Sequence, residues 1–504
     1  MPDRPINPWQ GKKVASAERR ARTESLNARA LALRALLAFS TEGTFVAKTL
    51  DDLFRRQQTP SRERRLATEL ASETVRRSLS LETILQKYVV RPRESVEADL
   101  WWLLQMGVCQ LLCLRHIPVH AAVHETVALC ETLGKPRAKG FVNGTLRSIE
   151  REIVHSVRED LDVNSPAKQQ TLNELQVDQL TASGWPLVLP QKNDLLLRTV
   201  ELARPLFADP ARDAVEAISQ VTSLPAWQIQ RWEGQIGDLN RVLQLGLWFT
   251  TPGRMSLRVN LLRYTREEIL DELRTAGIDA VPGPLPESIQ VTGSASVGDL
   301  PVFQAGGFSV QDLSAMGAAR LLDPQPGEHL LDLCAAPGGK SCHLAEKLQG
   351  TGKVVACDVS EDRLRTIDHN IRRLQLRNIE TWGLTPEGEH LPPGPFHAAL
   401  VDVPCSNTGV LGKRPEARWR LTPASFQELI PIQKCLLRRA LEQIEPGGRV
   451  VYSTCSIDRE ENEDVVRAVL AECPNVHLIS EMGHWPGEPA DGGYQALLIR
   501  DSAR

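Results

Sequence analysis

The feature that most restricts this chain is an alternation, from about residue 310 to 500, of short apolar segments with segments of helical periodicity. Candidate strands fall at 329–333, 353–358, 398–401 and 449–453, and candidate helices at 340–349, 361–374, 422–443 and 459–472. Strands joined by helices of this length imply a parallel sheet covered on both faces. Ligands of such a sheet lie beyond the carboxyl ends of its strands.

Upstream the texture differs. Residues 21–157 are helical throughout: Ala28, Leu31, Ala32, Ala35, Leu36 and Phe39 recur at three-and-four spacing, as one face of an amphipathic helix does. Further helical segments are predicted at 62–79, 81–88, 96–114, 119–133 and 137–155, which makes this an all-α domain. Residues 158–204 are polar, end with Pro186 and Pro190, and read as a linker with local helices. Residues 205–309 read as a small α+β module. It has a strand at 257–260, a helix at 266–276 with Thr265 and Glu268 as its capping box, a Pro282-Gly283-Pro284 turn, and strands near 288–292 and 301–303. Residues 1–20 read as a basic flexible tail. The expected fold class is thus multidomain, with residues 310–504 as the α/β domain.

Net charge is −4, so the whole chain does not advertise a nucleic-acid partner. Its distribution says more. Arg4, Lys12, Lys13, Arg19, Arg20 and Arg22 crowd the start, and Arg55, Arg56, Arg62, Arg64, Arg65, Arg76 and Arg77 form a second patch. Such patches can hold phosphates, although a solvated helix face explains either equally well. Among ten cysteines there is no CxxC pair and no zinc spacing, so no metal is expected. Free thiols point to a reducing, cytoplasmic setting. The most apolar run, 100–114, is too short to span a bilayer and contains Gln105 and Gln110, so it reads as a buried helix and no membrane partner is expected.

The first strand of the α/β region leads into Cys334-Ala335-Ala336-Pro337-Gly338-Gly339-Lys340 and a helix. Small residues there allow close backbone approach to a ligand. The second strand ends at Asp358, about 20 residues on, where an acid can hold ribose hydroxyls. GxGxxG spacing is absent, and so is GxxxxGK[ST]. S-adenosylmethionine therefore fits better than a dinucleotide or a triphosphate.

The next strand ends in Asp402-Val403-Pro404-Cys405-Ser406-Asn407-Thr408-Gly409, and a later one in Ser453-Thr454-Cys455-Ser456. Both cysteines fall on the cofactor edge. Cytosine C5 is a poor nucleophile, and a thiolate adding to C6 converts the ring into an enamine-like species that is nucleophilic at C5. One thiol makes the adduct and a second group helps resolve it; spacing leaves open which is which. Lys413, Arg414, Arg418 and Arg420 follow, with Trp419 among them. A basic cluster with an aromatic suits a flipped or single-stranded nucleotide.

On these motifs, with Val310-Gln311-Asp312 and Glu460-Glu461-Asn462, residues 310–500 resemble the RNA 5-methylcytosine methyltransferases. The chain from about 25 to 500 resembles the bacterial 16S ribosomal-RNA small-subunit methyltransferase B (RsmB/Sun/Fmu) family. The resemblance implies a NusB-like RNA-binding helical domain, a small module carrying residues 254–263, and a Rossmann-like class I methyltransferase domain. It makes Cys455 the nucleophile and Cys405 the group assisting release. Cys334 to Lys340 and Asp358 would bind the cofactor. Asp402 would lie near the methionine end and stabilise a protonated cytosine N3, and Lys340 would help activate Cys455. Its partner would be 16S rRNA, naked or in an early assembly particle, and the enzyme a monomer in rRNA processing. Transfer RNA is the alternative substrate. An assembly factor with little catalysis is a second alternative, which intact Cys405 and Cys455 oppose. The chain departs from the family where an acid usually follows the third strand, with Thr385 or Glu387 in its place. It departs again at Asp491-Gly492-Gly493-Tyr494, where the family has Asp-Gly-Phe-Phe.

Overall fold

The computed structural model describes residues 26–154, 171–190, 195–292, 295–385, 389–487 and 490–502. The basic tail read at 1–20 lies outside them. The chain divides into two compact units, one of residues up to Thr251 with Gly412–Arg420, the other of Pro252–Leu411 with Leu421–Arg504.

The first unit opens with α1 (Ala28–Glu42), α2 (Val46–Gln57), α3 (Ser61–Arg76), α4 (Ser78–Tyr88), α5 (Ala98–Leu112), α6 (Val119–Thr132) and α7 (Lys139–Glu152). The Asn27 side chain caps α1 by accepting from Ala30 N. The apolar run lies in α5, buried from Leu100 through Gln110, and Phe39 of α1 meets its Trp102 edge-on at 6.1 Å. Gln110 is satisfied there by Arg29 Nε at 2.7 Å and Thr126 Oγ1 at 3.1 Å. Helix α2 buries only Val46, Leu50 and Phe54, too sparse a stripe to stand out in sequence.

The linker holds more structure than its prolines suggested. Strands β1 (Gly184–Pro190) and β2 (Leu195–Glu201) form a two-stranded antiparallel sheet, where edge positions tolerate proline. Trp185 anchors it by donating to Val221 O at 3.0 Å. Helices α8 (Ala214–Thr222), α9 (Ala226–Ile236) and α10 (Leu239–Trp248) follow. Sequence texture grouped them with the downstream module. Their contacts lie in the first unit, where Leu79 N donates to Ser223 Oγ at 3.0 Å and Ser80 Oγ to Gln220 O at 2.5 Å.

The second unit begins with a four-stranded antiparallel sheet, ordered β4-β5-β3-β6, of β3 (Met255–Val259), β4 (Ala280–Pro282), β5 (Ser288–Val291) and β6 (Phe308–Val310). Helix α11 (Arg266–Thr275) carries the expected Thr265/Glu268 capping box and buries Ile269 and Leu273 against Leu257, Ile289 and Phe308. Residues 301–303 are not a strand but open a short helix, α12 (Pro301–Gln304), with proline at its first position.

A seven-stranded sheet follows, of β7 (His329–Asp332), β8 (Lys353–Asp358), β9 (Ile379–Gly383), β10 (Phe396–Asp402), β11 (Ile444–Thr454), β12 (Val476–His484) and β13 (Gly493–Arg500). Its order is β12-β13-β11-β10-β7-β8-β9, parallel except that β13 runs antiparallel to both neighbours. Helices α13 (Leu313–Leu322), α14 (Gly339–Lys347) and α15 (Glu361–Leu374) cover one face, meeting Leu330, Val354 and Leu400. Helices α16 (Pro423–Gln443) and α17 (Glu463–Glu472) cover the other, meeting Leu331, Val401 and Tyr452. Successive residues therefore face opposite layers, which is why the runs Leu330–Leu331, Val354–Cys357, Ala398–Val401 and Val450–Tyr452 are apolar. The order reverses between β7 and β10, and in Rossmann-like folds ligands bind at such a switch point, beyond the carboxyl ends of the strands. Among the described residues no helix is long and apolar enough to cross a membrane.

Candidate active site

The turn from β7 into α14 lies at the switch point. Gly338 caps α14 at φ 98, a conformation L side chains rarely adopt, and a Cβ there would press on Ile367 Cγ2 at 3.1 Å. Ala335 N donates to Cys357 O at 2.9 Å, and Asn370 Nδ2 to Pro337 O at 3.0 Å. Asp358, buried at the end of β8, accepts from Ser360 N at 3.1 Å and lies 3.4 Å from both Ala336 N and Arg363 Nη2. Burial, with Asp332, Asp402 and Asp358 around it, pushes the Cys334 thiol well above its usual range. Three acidic side chains thus lie around one turn.

The sequence reading passed over Asp332, an acid at a strand end ahead of a glycine turn, which was signal enough to find it. Its Oδ2 accepts from Ser341 Oγ at 2.6 Å, while Oδ1 has no hydrogen-bond partner of ordinary length among the described residues. Burial, reinforced by Asp402 and opposed by Ser341 and Lys340, pushes its carboxyl up to about 7. The native state then keeps a proton that the unfolded chain releases at its ordinary value of 3.8. Raising pH from about 4 to about 7 therefore favours unfolding through this group. Asp332→Asn is expected to flatten this fall in stability, read as urea midpoints at pH 4.5, 6 and 7.5; an unchanged slope would place the titration elsewhere.

Strands β10 and β11 pair in parallel, with Asp402 opposite Ser453, and bring the two cysteine loops together. Cys405 Sγ lies 3.2 Å from Cys455 Sγ, and Cys455 Sγ lies 3.3 Å from Asn407 Oδ1. The loops are stapled by Gly409 N donating to Cys455 O at 2.9 Å, where a Cβ on Gly409 would meet Gly492 O at 2.3 Å. Beneath them lies a buried polar cluster. Glu461 accepts from Ser406 N at 2.9 Å, from the Ser406 hydroxyl and from Gln433 Nε2 at 2.9 Å, and Thr408 Oγ1 donates to Asp458 Oδ2 at 2.5 Å. The hydrogen bond to Cys455, then burial, pushes the Cys405 thiol well up, so Cys405 rests protonated. Lys340 Nζ donates to Asp402 Oδ2 at 2.6 Å. Burial pushes the Lys340 ammonium down, but Asp402, with Cys455 and Asp332, outweighs it and the net direction is up.

The structure corrects part of the RNA-contact reading. Arg418 is wholly buried; its Nη1 donates to Arg76 O at 2.9 Å and Ser223 O at 3.2 Å, and its Nη2 to Phe249 O at 2.9 Å. Burial, with Arg76 and Arg77 nearby, pushes it down to about 9. Trp419 Nε1 donates to Val75 O at 3.0 Å. Both residues belong to the packing of the helical unit. So do Arg76 and Arg77, buried beside Glu73. Arg414, Arg55, Arg56, Arg62 and Arg65 are exposed, and Lys413 is half-buried. At the two departures, the Thr385 hydroxyl already accepts from Glu389 N at 2.9 Å, and Glu387 lies outside the described residues. A Cβ on Gly493 would meet Thr454 O at 2.6 Å, and Tyr494 is buried, its hydroxyl bonded to Glu481.

The strand order and the acid-ringed turn at its switch point define a Rossmann-like S-adenosylmethionine-dependent methyltransferase. The family model described as 16S rRNA methyltransferase RsmB/F matches residues 319–492, the NusB family model 26–151, and the RsmF/B-like ferredoxin-like domain model 224–298. The ribosomal RNA small subunit methyltransferase B of Yersinia enterocolitica is 31% identical over 94% of this chain and 99% of its own. The probable ribosomal RNA small subunit methyltransferase B of Bacillus subtilis is 30% identical over 89% of each chain. A solved methyltransferase homolog from Pyrococcus horikoshii is 25% identical, with a TM-score of 0.51, covering 57% of this chain and 99% of that one. The chain belongs to the ribosomal RNA small subunit methyltransferase B family.

Proposed function

We propose that this protein methylates C5 of a cytosine in 16S ribosomal RNA, through a covalent bond between Cys455 and C6 of the base. The observation that carries this reading is the 3.2 Å approach of Cys405 and Cys455 at the ends of adjoining strands, beside the Lys340–Asp402 pair. The names of the relatives support the RNA class.

The residues present fit S-adenosylmethionine, whose positive charge suits a turn flanked by the Asp358 and Asp402 carboxylates. Backbone from Cys334 to Gly339 would wrap it, Asp358 would hold the ribose hydroxyls, and the Lys340–Asp402 pair would border its methionine end. When bound, the cofactor supplies the electrophilic methyl that C5 takes up.

The chain's own residues do the rest. Lys340 favours the Cys455 thiolate, since a nearby cation lowers a thiol pKa. The Cys455 sulfur donates its electron pair to C6 while N3 takes up a proton from solvent, and Asp402 stabilises the protonated N3. Once Cys455 is a thioether it no longer draws on the Cys405 proton, which removes the largest cause holding Cys405 neutral. Cys405 then gives its own proton to solvent and, as thiolate, accepts the C5 proton as the C6–sulfur bond breaks and Cys455 leaves as thiolate. Arg55, Arg56, Arg62, Arg65, Lys413 and Arg414 would contact phosphates.

Labelled S-adenosylmethionine and unmodified small-subunit RNA test the reading: label is expected in RNA, with one new 5-methylcytosine on bisulfite mapping. Label that enters RNA without a new 5-methylcytosine would overturn the chemistry.

A further inference from the structure

Arg258 lies on β3 of the four-stranded module, where only 1% of its surface is exposed. Its Nε and Nη2 donate to the two Glu346 carboxylate oxygens at 3.0 and 2.8 Å, a bidentate pair near the end of α14. Its Nη1 donates to Gly339 O at 2.7 Å, at the first residue of α14, and also to Gln311 Oε1. One planar side chain thus grips the helix at both ends. The helix start is held at two further points, Lys340 on Asp402 and Ser341 on Asp332. Those two bonds tie α14 to the sheet, whereas Arg258 ties it to the module.

We propose that Arg258 is a positioning residue for S-adenosylmethionine, holding the first turn of α14 at the height where the 334–339 backbone can close on the cofactor. The inference rests on the cofactor site proposed above. An ion pair serving stability alone would use Glu346. The bond to Gly339 O, next to the left-handed Gly338, bears on the turn itself. A guanidinium can serve the carboxylate and the carbonyl together because its donors form a fixed fork; a lysine ammonium has no such fork.

The test is calorimetric titration of S-adenosylmethionine into the full-length protein, with thermal melts alongside. Arg258→Met alone strands a buried Glu346 and is expected to destabilise the fold. Arg258→Met/Glu346→Leu removes both charges and is expected to recover the melting temperature, yet to bind the cofactor roughly tenfold or more weakly, as for loss of one charge-assisted hydrogen bond. Arg258→Lys, which keeps a cation beside Glu346, is expected to fold and show a similar loss. A double variant that recovers stability and binds like the parent would overturn the proposal. If the double variant does not fold, parental affinity in Arg258→Lys overturns it instead. Asp358→Ala separates the two readings: parental affinity there brings down the cofactor site itself, whereas a loss there beside intact Arg258 variants brings down only the role of Arg258.

Discussion

Incubated with S-adenosylmethionine and unmodified small-subunit RNA, Cys405→Ala is expected to accumulate a protein–RNA complex that survives denaturing electrophoresis. Cys405→Ala/Cys455→Ala should form none. Turnover in Cys405→Ala should fall by about 10²–10⁴-fold, the usual contribution of a positioned acid–base group. The two sulfurs are 3.2 Å apart, and the contact with Cys455, then burial, pushes the Cys405 thiol up. On the proposed mechanism, Cys455 would still attack without it, but no second thiolate would be placed to take the C5 proton and release the product. An adduct persisting in the double variant would show that another nucleophile had been overlooked.

Arg418→Ala is expected to cost about 3 kcal/mol or more of stability in urea denaturation, because it leaves the carbonyls of Arg76, Ser223 and Phe249 buried without their donor. Arg414→Ala, on an exposed side chain, should stay within about 0.5 kcal/mol of the parent. It should instead weaken RNA affinity and lower its salt dependence. The reverse pattern, a stable Arg418→Ala that has lost RNA affinity, would restore Arg418 to the RNA surface.

Arg418 also marks where sequence reasoning runs out. A cluster of cations beside an aromatic reads as a phosphate site because charge is visible in sequence. The acceptors that bury Arg418 are main-chain carbonyls, which no side-chain pattern records. Strands β7, β8, β10 and β11 were legible because both faces are covered and their central runs are apolar. Strands β9, β12 and β13 were not among the candidate strands; β12, the edge strand, is mostly exposed, with Ile479 and Met482 among its exposed residues. Both cysteines could be placed at strand ends, but their contact depends on β10 and β11 being neighbours, which spacing does not dictate. Asp332 was available to inspection, whereas the grip of Arg258 on Gly339 joins residues 81 positions apart and needed the fold.

The return of Gly412–Arg420 to the helical unit bears on how this protein can be cut, borrowed or inherited. The polypeptide crosses the boundary at Thr251, again after Leu411 and a third time at Arg420, so no single cleavage yields two complete pieces. A fragment ending at Thr251 keeps the carbonyls of Ser223 and Phe249 but not the guanidinium that satisfies them. A fragment starting at Pro252 carries that guanidinium as an orphan. A gene encoding only the helical portion would therefore need surface repairs around Arg76 and Phe249 before its product could stand alone. Shuffling the catalytic portion onto another partner would first require replacing those nine residues.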